Sequence, residues 1–207
     1  MAPNALSLRQ RNPQAGLSLI GVLVASFILV SGTLAIAQLV ARTEHITGLA
    51  AEKFVAASLA REGLELVQNQ RDTNWFSHRA QASGECAATT TPDGRDECWV
   101  VNLCGEDGQV NTNDHVIAID RDASAGIAVI HDPTASQQQL FIGPNNIWSH
   151  IANGEPTRYR RIVSLDCSGT QATPPVVEVT SRVTWDSREF ARDVLVRERL
   201  YNWHRTE

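Results

Sequence analysis

A chain of 207 residues with 18 Lys and Arg against 23 Asp and Glu, and a formal charge of -5, has room for one ordinary folded core plus extra segments, not two cores. The acidic balance disfavours nucleic acid as the main partner, because phosphate binding needs a concentrated basic patch. Tyr159 flanked by Arg158, Arg160 and Arg161 is the one dense basic cluster, and in a strand such arginines face solvent or pair with the plentiful carboxylates.

Residues 1–16 carry Arg9 and Arg11 and no acid, so removing them would take the side-chain charge from -5 to -7. Behind them, Leu17 to Ala41 runs for 25 positions without a charged residue. That is enough to cross a bilayer as a helix, which needs about 20 apolar residues. The basic leader stays on the cytoplasmic side by the positive-inside bias, which predicts a single span of the cytoplasmic membrane with the bulk of the chain outside the cytoplasm. Three fates are open to the N-terminus: cleavage within the run after Ala35-Ile36-Ala37, retention as an uncut anchor, or cleavage before the run. The apolar stretch ahead of Ala37 is longer than a secretory signal requires.

Ala15-Gly16 followed by Leu17-Ser18-Leu19-Ile20-Gly21 resembles the prepilin signature of the type IV pilin-like family. The resemblance implies that a prepilin peptidase cuts between Gly16 and Leu17 and that the new N-terminal Leu17 is methylated. It also implies that the apolar helix, with Leu19, Ile20, Gly21, Val24, Phe27 and Ile28, becomes an assembly surface. Gly21 stands where that family normally has a glutamate, whose charge would require a partner inside an apolar filament core. The departure points to a minor pilin or a minor pseudopilin of type II secretion. The implied partners are other pilin or pseudopilin subunits, the peptidase, an inner-membrane assembly platform and, before assembly, membrane lipid. The implied destination is a periplasmic or cell-surface filament.

From Arg42 to Arg71 the composition favours helix and lacks proline. Apolar Ile46, Leu49, Ala56, Ala60, Leu64 and Val67 recur near helical spacing, which predicts an amphipathic second half. Gly32, Gly48 and Gly63 interrupt the helix, either as bending points or as small residues at close contacts. Arg71-Asp72-Thr73-Asn74 is expected to end it, through side chains that compete for backbone hydrogen bonds. Trp75 and Phe76 are then expected to turn back onto the head. Residues 72–97 read as a connecting loop, with a turn at Pro92-Asp93-Gly94.

Residues 98–207 read as a β-rich head, with expected strands over 98–103, 115–119, 126–130, 139–142, 159–165, 176–185 and 190–201. Val177, Val179, Val183 and Trp185 share one strand face, which the stem helix is expected to cover. The fold class predicted is therefore α+β, a long N-terminal helix packed on a C-terminal antiparallel sheet. Cys86, Cys98, Cys104 and Cys167 all lie beyond the membrane run, where an oxidising compartment permits disulfides. Of three possible pairings, Cys86 with Cys98 follows from proximity and Cys104 with Cys167 from what remains. No Cys-x-x-Cys spacing suggests zinc. Glu106, Asp107, Asn111, Asn113 and Asp114 form a polar, glycine-containing stretch that is a weak calcium candidate, off the spacing of known loops.

No catalytic motif, phosphate-binding loop or clustered histidines occur, so neither an enzyme nor a cofactor is expected. The expectation is a structural subunit. Its rivals are a permanently anchored binding module or adhesin, and a secreted enzyme released after Ala37.

Overall fold

The computed structural model describes residues 19–80, 98–105, 113–122, 126–143, 146–171, 175–187 and 190–202. One helix, α1, runs over Leu19–Ala80. Among the described residues seven strands follow: β1 (His115–Asp122), β2 (Gly126–His131), β3 (Gln139–Ile142), β4 (Trp148–Ser149), β5 (Glu155–Asp166), β6 (Val176–Ser187) and β7 (Phe190–Tyr201). All pair antiparallel in one sheet. The predicted α+β arrangement is what forms. Residues 1–49 and 50–207 are separate compact units.

In the second unit, β5 is the hub. One edge takes β3 along Glu155–Arg160 and β1 along Val163–Leu165, while the other edge pairs with β6. β6 and β7 remain in register from Val176↔Tyr201 to Ser187↔Phe190. The expected strands over 139–142 and 190–201 have those bounds, and the strands expected over 159–165 and 176–185 extend further. The strand expected over 98–103 is instead a 3-10 turn, Cys98–Val100, followed by further turns. The Val100 carbonyl is consumed locally, since the amides of Leu103 and Cys104 both donate to it. Asn102 there has φ 61°, which no strand tolerates.

The helix also outruns its expected end at residue 71 and reaches Ala80. The side chains expected to break it are engaged elsewhere. Arg71 pairs with Asp72 at 2.9 Å, and Asn74 donates to the carbonyls of Val101 (2.7 Å) and Trp99 (3.3 Å). Their competition for the helix's own backbone is thereby removed. Trp75 is buried from within the helix, whereas Phe76 stays exposed.

The inner faces of β5 and β6 pack against α1 from Ala56 onward. Two apolar clusters result. One gathers Leu64, Val67 and Trp75 with Trp99, Ile117, Val163, Leu165, Val177 and Val179. The other gathers Ala56, Leu59 and Ala60 with Leu140, Tyr159, Val183 and Trp185. The expected stripe thus holds at Ala56, Ala60, Leu64 and Val67, while Ile46 is exposed. Cys104 and Cys167 form a disulfide, as expected, that ties the 98–105 turns to the end of β5 and closes a separation of 63 residues. Cys86 and the side chain of Cys98 lie outside the described residues.

Gly63 sets the distance between helix and sheet. A Cβ there would meet Ser181 Oγ at 2.6 Å, Arg161 Cδ at 3.2 Å and Val163 Cγ2 at 3.4 Å, whereas at Gly32 and Gly48 it would meet nothing within 4 Å. Gly63→Val is expected to lower stability by about 1–3 kcal/mol through overpacking. Gly48→Ala is expected to gain up to about 1 kcal/mol from helix propensity. Urea unfolding of the detergent-solubilised chain measures both. In a Ser181→Ala background Gly63→Ala becomes tolerated, because the nearest obstructing atom is gone. Replacing both Cys104 and Cys167 by serine is expected to cost about 2–5 kcal/mol in the same assay.

Candidate functional site

The uncharged stretch of α1 is the candidate site, and its chemistry is that of a surface. Between Leu19 and Ala41 there is no ionisable side chain. At 1.5 Å per residue this stretch alone spans about 35 Å, more than the roughly 30 Å hydrocarbon core of a bilayer. The helix is therefore long and apolar enough to cross a membrane. Of the predicted assembly residues, Leu19, Ile20, Val24, Phe27 and Ile28 are exposed by 76, 71, 53, 73 and 62%. At 100° per residue they span about half of the helix circumference. Val22, Leu29 and Ile36, also exposed, lie on the opposite half. Apolarity on every face distinguishes this half from a helix with one buried stripe.

The hydroxyls of the run are satisfied by its own carbonyls. Ser26, Ser31 and Thr33 donate to the carbonyls of Leu23, Ile28 and Val30 at 2.9, 3.1 and 2.9 Å. Thr43 does the same to Leu39 at 2.9 Å. No hydroxyl in the run needs water, which is the condition for an apolar surrounding. Gly16 and Leu17, the expected cleavage junction, lie outside the described residues. So do Glu106, Asp107 and Asn111 of the calcium candidate. Asn113 and Asp114 are exposed, and no group of three metal-ligating side chains occurs among the described residues.

In the second unit, the residues that fix α1 to the sheet are polar. Arg161 is fully buried. Its Nη1 donates to the Leu59 carbonyl (3.3 Å) and to Glu62 Oε2 (3.2 Å), and its Nη2 donates to the Ile119 carbonyl (3.0 Å). Burial pulls its pKa down, while Glu62 and then Asp120 act to hold it up. In β5, Arg161 stands between Tyr159 of one apolar cluster and Val163 of the other. Ser181 takes the equivalent place in β6, and Gly63 in the helix. A thin polar layer thus divides the core. Arg158 and Arg160 behave as expected of the basic cluster, being exposed and paired with Glu52 (2.8 Å) and Asp186 (3.8 Å). The expectation of solvent or surface pairing fails for Arg161 alone.

Glu52 makes the other fixing point. It accepts from Trp185 Nε1 at 3.1 Å and from Arg158 at 2.8 Å, and Tyr159 Oη donates to its carbonyl at 3.4 Å. The Trp185 bond, followed by Arg158, holds the Glu52 carboxyl below its ordinary range. The stabilisation it gives is therefore present at neutral pH and lost as the carboxylate protonates in acid.

Sequence reasoning missed Arg161, although a signal existed: it is in phase with Tyr159, Val163 and Leu165 on the inward face of β5. It also missed β4 and the contacts of Asp120 with Ser149 and His150, which are 29 and 30 residues distant and carry no local pattern.

No family model, curated protein or solved structure matches the chain. Functional inference therefore rests on the residues themselves.

Arg161→Lys keeps the charge but cannot reproduce the fork that reaches Leu59, Glu62 and Ile119 together. It is expected to destabilise the head by about 2 kcal/mol or more, measured by urea unfolding. A surface substitution, Arg160→Lys, is expected to change stability by less than about 0.5 kcal/mol.

Proposed function

We propose that this chain is a minor structural subunit of a type IV pilus or type II secretion pseudopilus. On this reading it is made as a membrane-anchored precursor, cut after Gly16 and methylated at Leu17, and assembled with other pilin-like subunits through α1. The observation that carries the reading is the junction itself: Gly16-Leu17-Ser18-Leu19-Ile20 opens directly onto a helix that is uncharged and apolar on every face as far as Ala41. Such a surface suits lipid before assembly and neighbouring helices afterwards.

Two further features support it. The Cys104–Cys167 bridge suits a head held in an oxidising compartment, outside the cytoplasm. Gly21 removes the one carboxylate that the resemblance leads one to expect within the apolar run, which favours a minor component over the filament body. Any energy for assembly comes from other proteins, since no phosphate-binding motif occurs in the sequence.

Mass analysis of the N-terminus of the protein purified from its native membrane tests the reading. A methylated Leu17 is expected. An intact leader would indicate a permanently anchored binding module, and a chain beginning at Gln38 a secreted product; either outcome overturns the proposal. Replacing Gly16 with a bulky residue is expected to block processing and leave the precursor in the membrane. Unchanged processing of Gly16→Leu would count against a prepilin-type peptidase.

A further inference from the structure

Between β3 and β5 lies a short segment, residues 146–154, whose hold is unusual. β4 contributes only two ladder pairs, Phe141↔Ser149 and Ile142↔Trp148. Beyond the Ile147 carbonyl, which accepts from the Gly143 amide at 3.0 Å, the polar attachment runs through one buried carboxylate of β1. Asp120 Oδ2 accepts from Ser149 Oγ at 2.6 Å and from the His150 amide at 2.7 Å, and Oδ1 accepts from the Arg121 amide at 2.8 Å. The Ile151 amide then donates to Ser149 Oγ at 2.9 Å. Trp148 packs edge-on against Tyr159 at 5.7 Å and belongs to the apolar cluster of Leu140, Val183 and Trp185. Ile147 and Ile151, on either side, are exposed by 53 and 47%.

Within this attachment sits an imidazole that gains little from being there. His150 is only 7% exposed, and the Gln137 and Gln139 carbonyls approach its ring without completing a well-formed hydrogen bond to either nitrogen. The charged groups that face it are Arg161 of β5, with Glu62 of α1 behind, and Asp120 of β1. Residues 133–142, whose Gln137 and Gln139 carbonyls lie close, contribute no titratable side chain, and residues 146–154 contain none besides His150. A proton added to the buried ring places a second cation beside buried Arg161. Asp120 is already engaged by the segment's own donors. In water the same proton is fully solvated.

We propose that residues 146–154 form an acid-released strap: Asp120 clamps it across β1 at neutral pH, and protonation of His150 lifts it and uncovers Trp148 with the apolar cluster beneath. The lifted strap joins Trp148 to exposed Ile147 and Ile151 in one apolar surface, a change of state in the head that does not depend on how the N-terminus is processed.

The sign follows from burial. Desolvation, then Arg161, lowers the His150 pKa from 6.5 to about 4, with Asp120 and the Gln137 and Gln139 carbonyls acting in the opposite sense and outweighed. A ring that titrates near 6.5 when open and near 4 when closed binds its proton preferentially in the open state. The hold is complete above pH 6.5 and weakens as pH falls toward 4. Between pH 7 and 4.5 the open population rises roughly fifty-fold from this single group.

Hydrogen exchange of the full chain in detergent reads this directly, with rates divided by the intrinsic rates at each pH. Protection at His150, Ile151 and Asn153 is expected to fall about fifty-fold from pH 7 to 4.5, while protection at Val179 and Val183 in β6 holds. Unchanged protection in the strap, or a parallel loss in β6, overturns the proposal. In His150→Gln, or in His150→Phe should the first not fold by circular dichroism, the pH dependence of strap protection is expected to vanish. Its persistence in a folded variant overturns the role of His150.

Discussion

The structure of the head depends on one buried guanidinium. Arg161 crosses from β5 to the helix and reaches carbonyls of two other elements, Leu59 of α1 and Ile119 of β1, as well as the carboxylate of Glu62. A fully buried charge is costly unless paired and hydrogen-bonded, so these acceptors must all stay in place together. That requirement fixes the helix axially and in rotation, because a slip of one residue along α1 would leave the charge without Leu59 and Glu62. Apolar packing alone is more forgiving of such slips. The layer also explains Gly63. The helix must approach closely for Arg161 to reach the Leu59 carbonyl, and a side chain at 63 would strike Ser181 and Arg161. The bond from Gln68 Nε2 to Glu198 Oε1 at 2.6 Å extends the same logic to β7.

The two halves of α1 solve different problems with one backbone geometry. From Ala56 onward the helix buries a stripe and leaves the opposite side polar, in the manner of a soluble domain. Before Arg42 it has no polar side, and its hydroxyls turn inward on the helix's own carbonyls. The change falls where the first charge of the helix appears, at Arg42, with Glu44, Glu52 and Lys53 following within a few turns. Charge, more than hydrophobicity, therefore marks where an apolar surrounding must end.

Much of this was legible in the sequence. The apolar run, the helical stripe at Ala56, Ala60, Leu64 and Val67, and the alternation of Val177, Val179, Val183 and Trp185 are periodic signals, and periodicity is what burial imprints. The end of α1 was not legible, because Arg71 to Asn74 break a helix only if their side chains turn on its backbone. Here Asn74 is drawn to carbonyls of residues 99 and 101, a tertiary effect with no local signature. The turn over 98–100 was misread as strand because Cys-Trp-Val-Val is apolar and β-branched. Burial of Trp99, Val100 and Val101 is real, but the disulfide and the Asn74 bonds hold them in a compact turn. The strap was invisible for a related reason. Its fixing bonds run from Asp120 to residues some 30 positions away, and a two-residue strand carries no period.

Magnitudes constrain what the uncharged run can do. Thirteen large apolar side chains between Leu19 and Val40 are more than half exposed. At about 1.5–3 kcal/mol for full burial of each, the upper estimate for covering them is some 20–40 kcal/mol, beyond the 5–15 kcal/mol net stability of an ordinary domain. An apolar surrounding for this segment is thus strongly favoured over water. Lipid and packed helices are nearly equivalent by this measure, since hydrocarbon chains are as apolar as leucine. Exchange between the two is decided by finer terms: close packing through small residues such as Gly21, Ala25, Gly32 and Ala35, and charges where they exist. With glycine at position 21 the run offers no charge at all. On the proposed reading, this subunit contributes shape to a helical assembly and no electrostatic bond within it. Such a subunit can be accommodated where neighbours already define the lattice, but it does little to specify one.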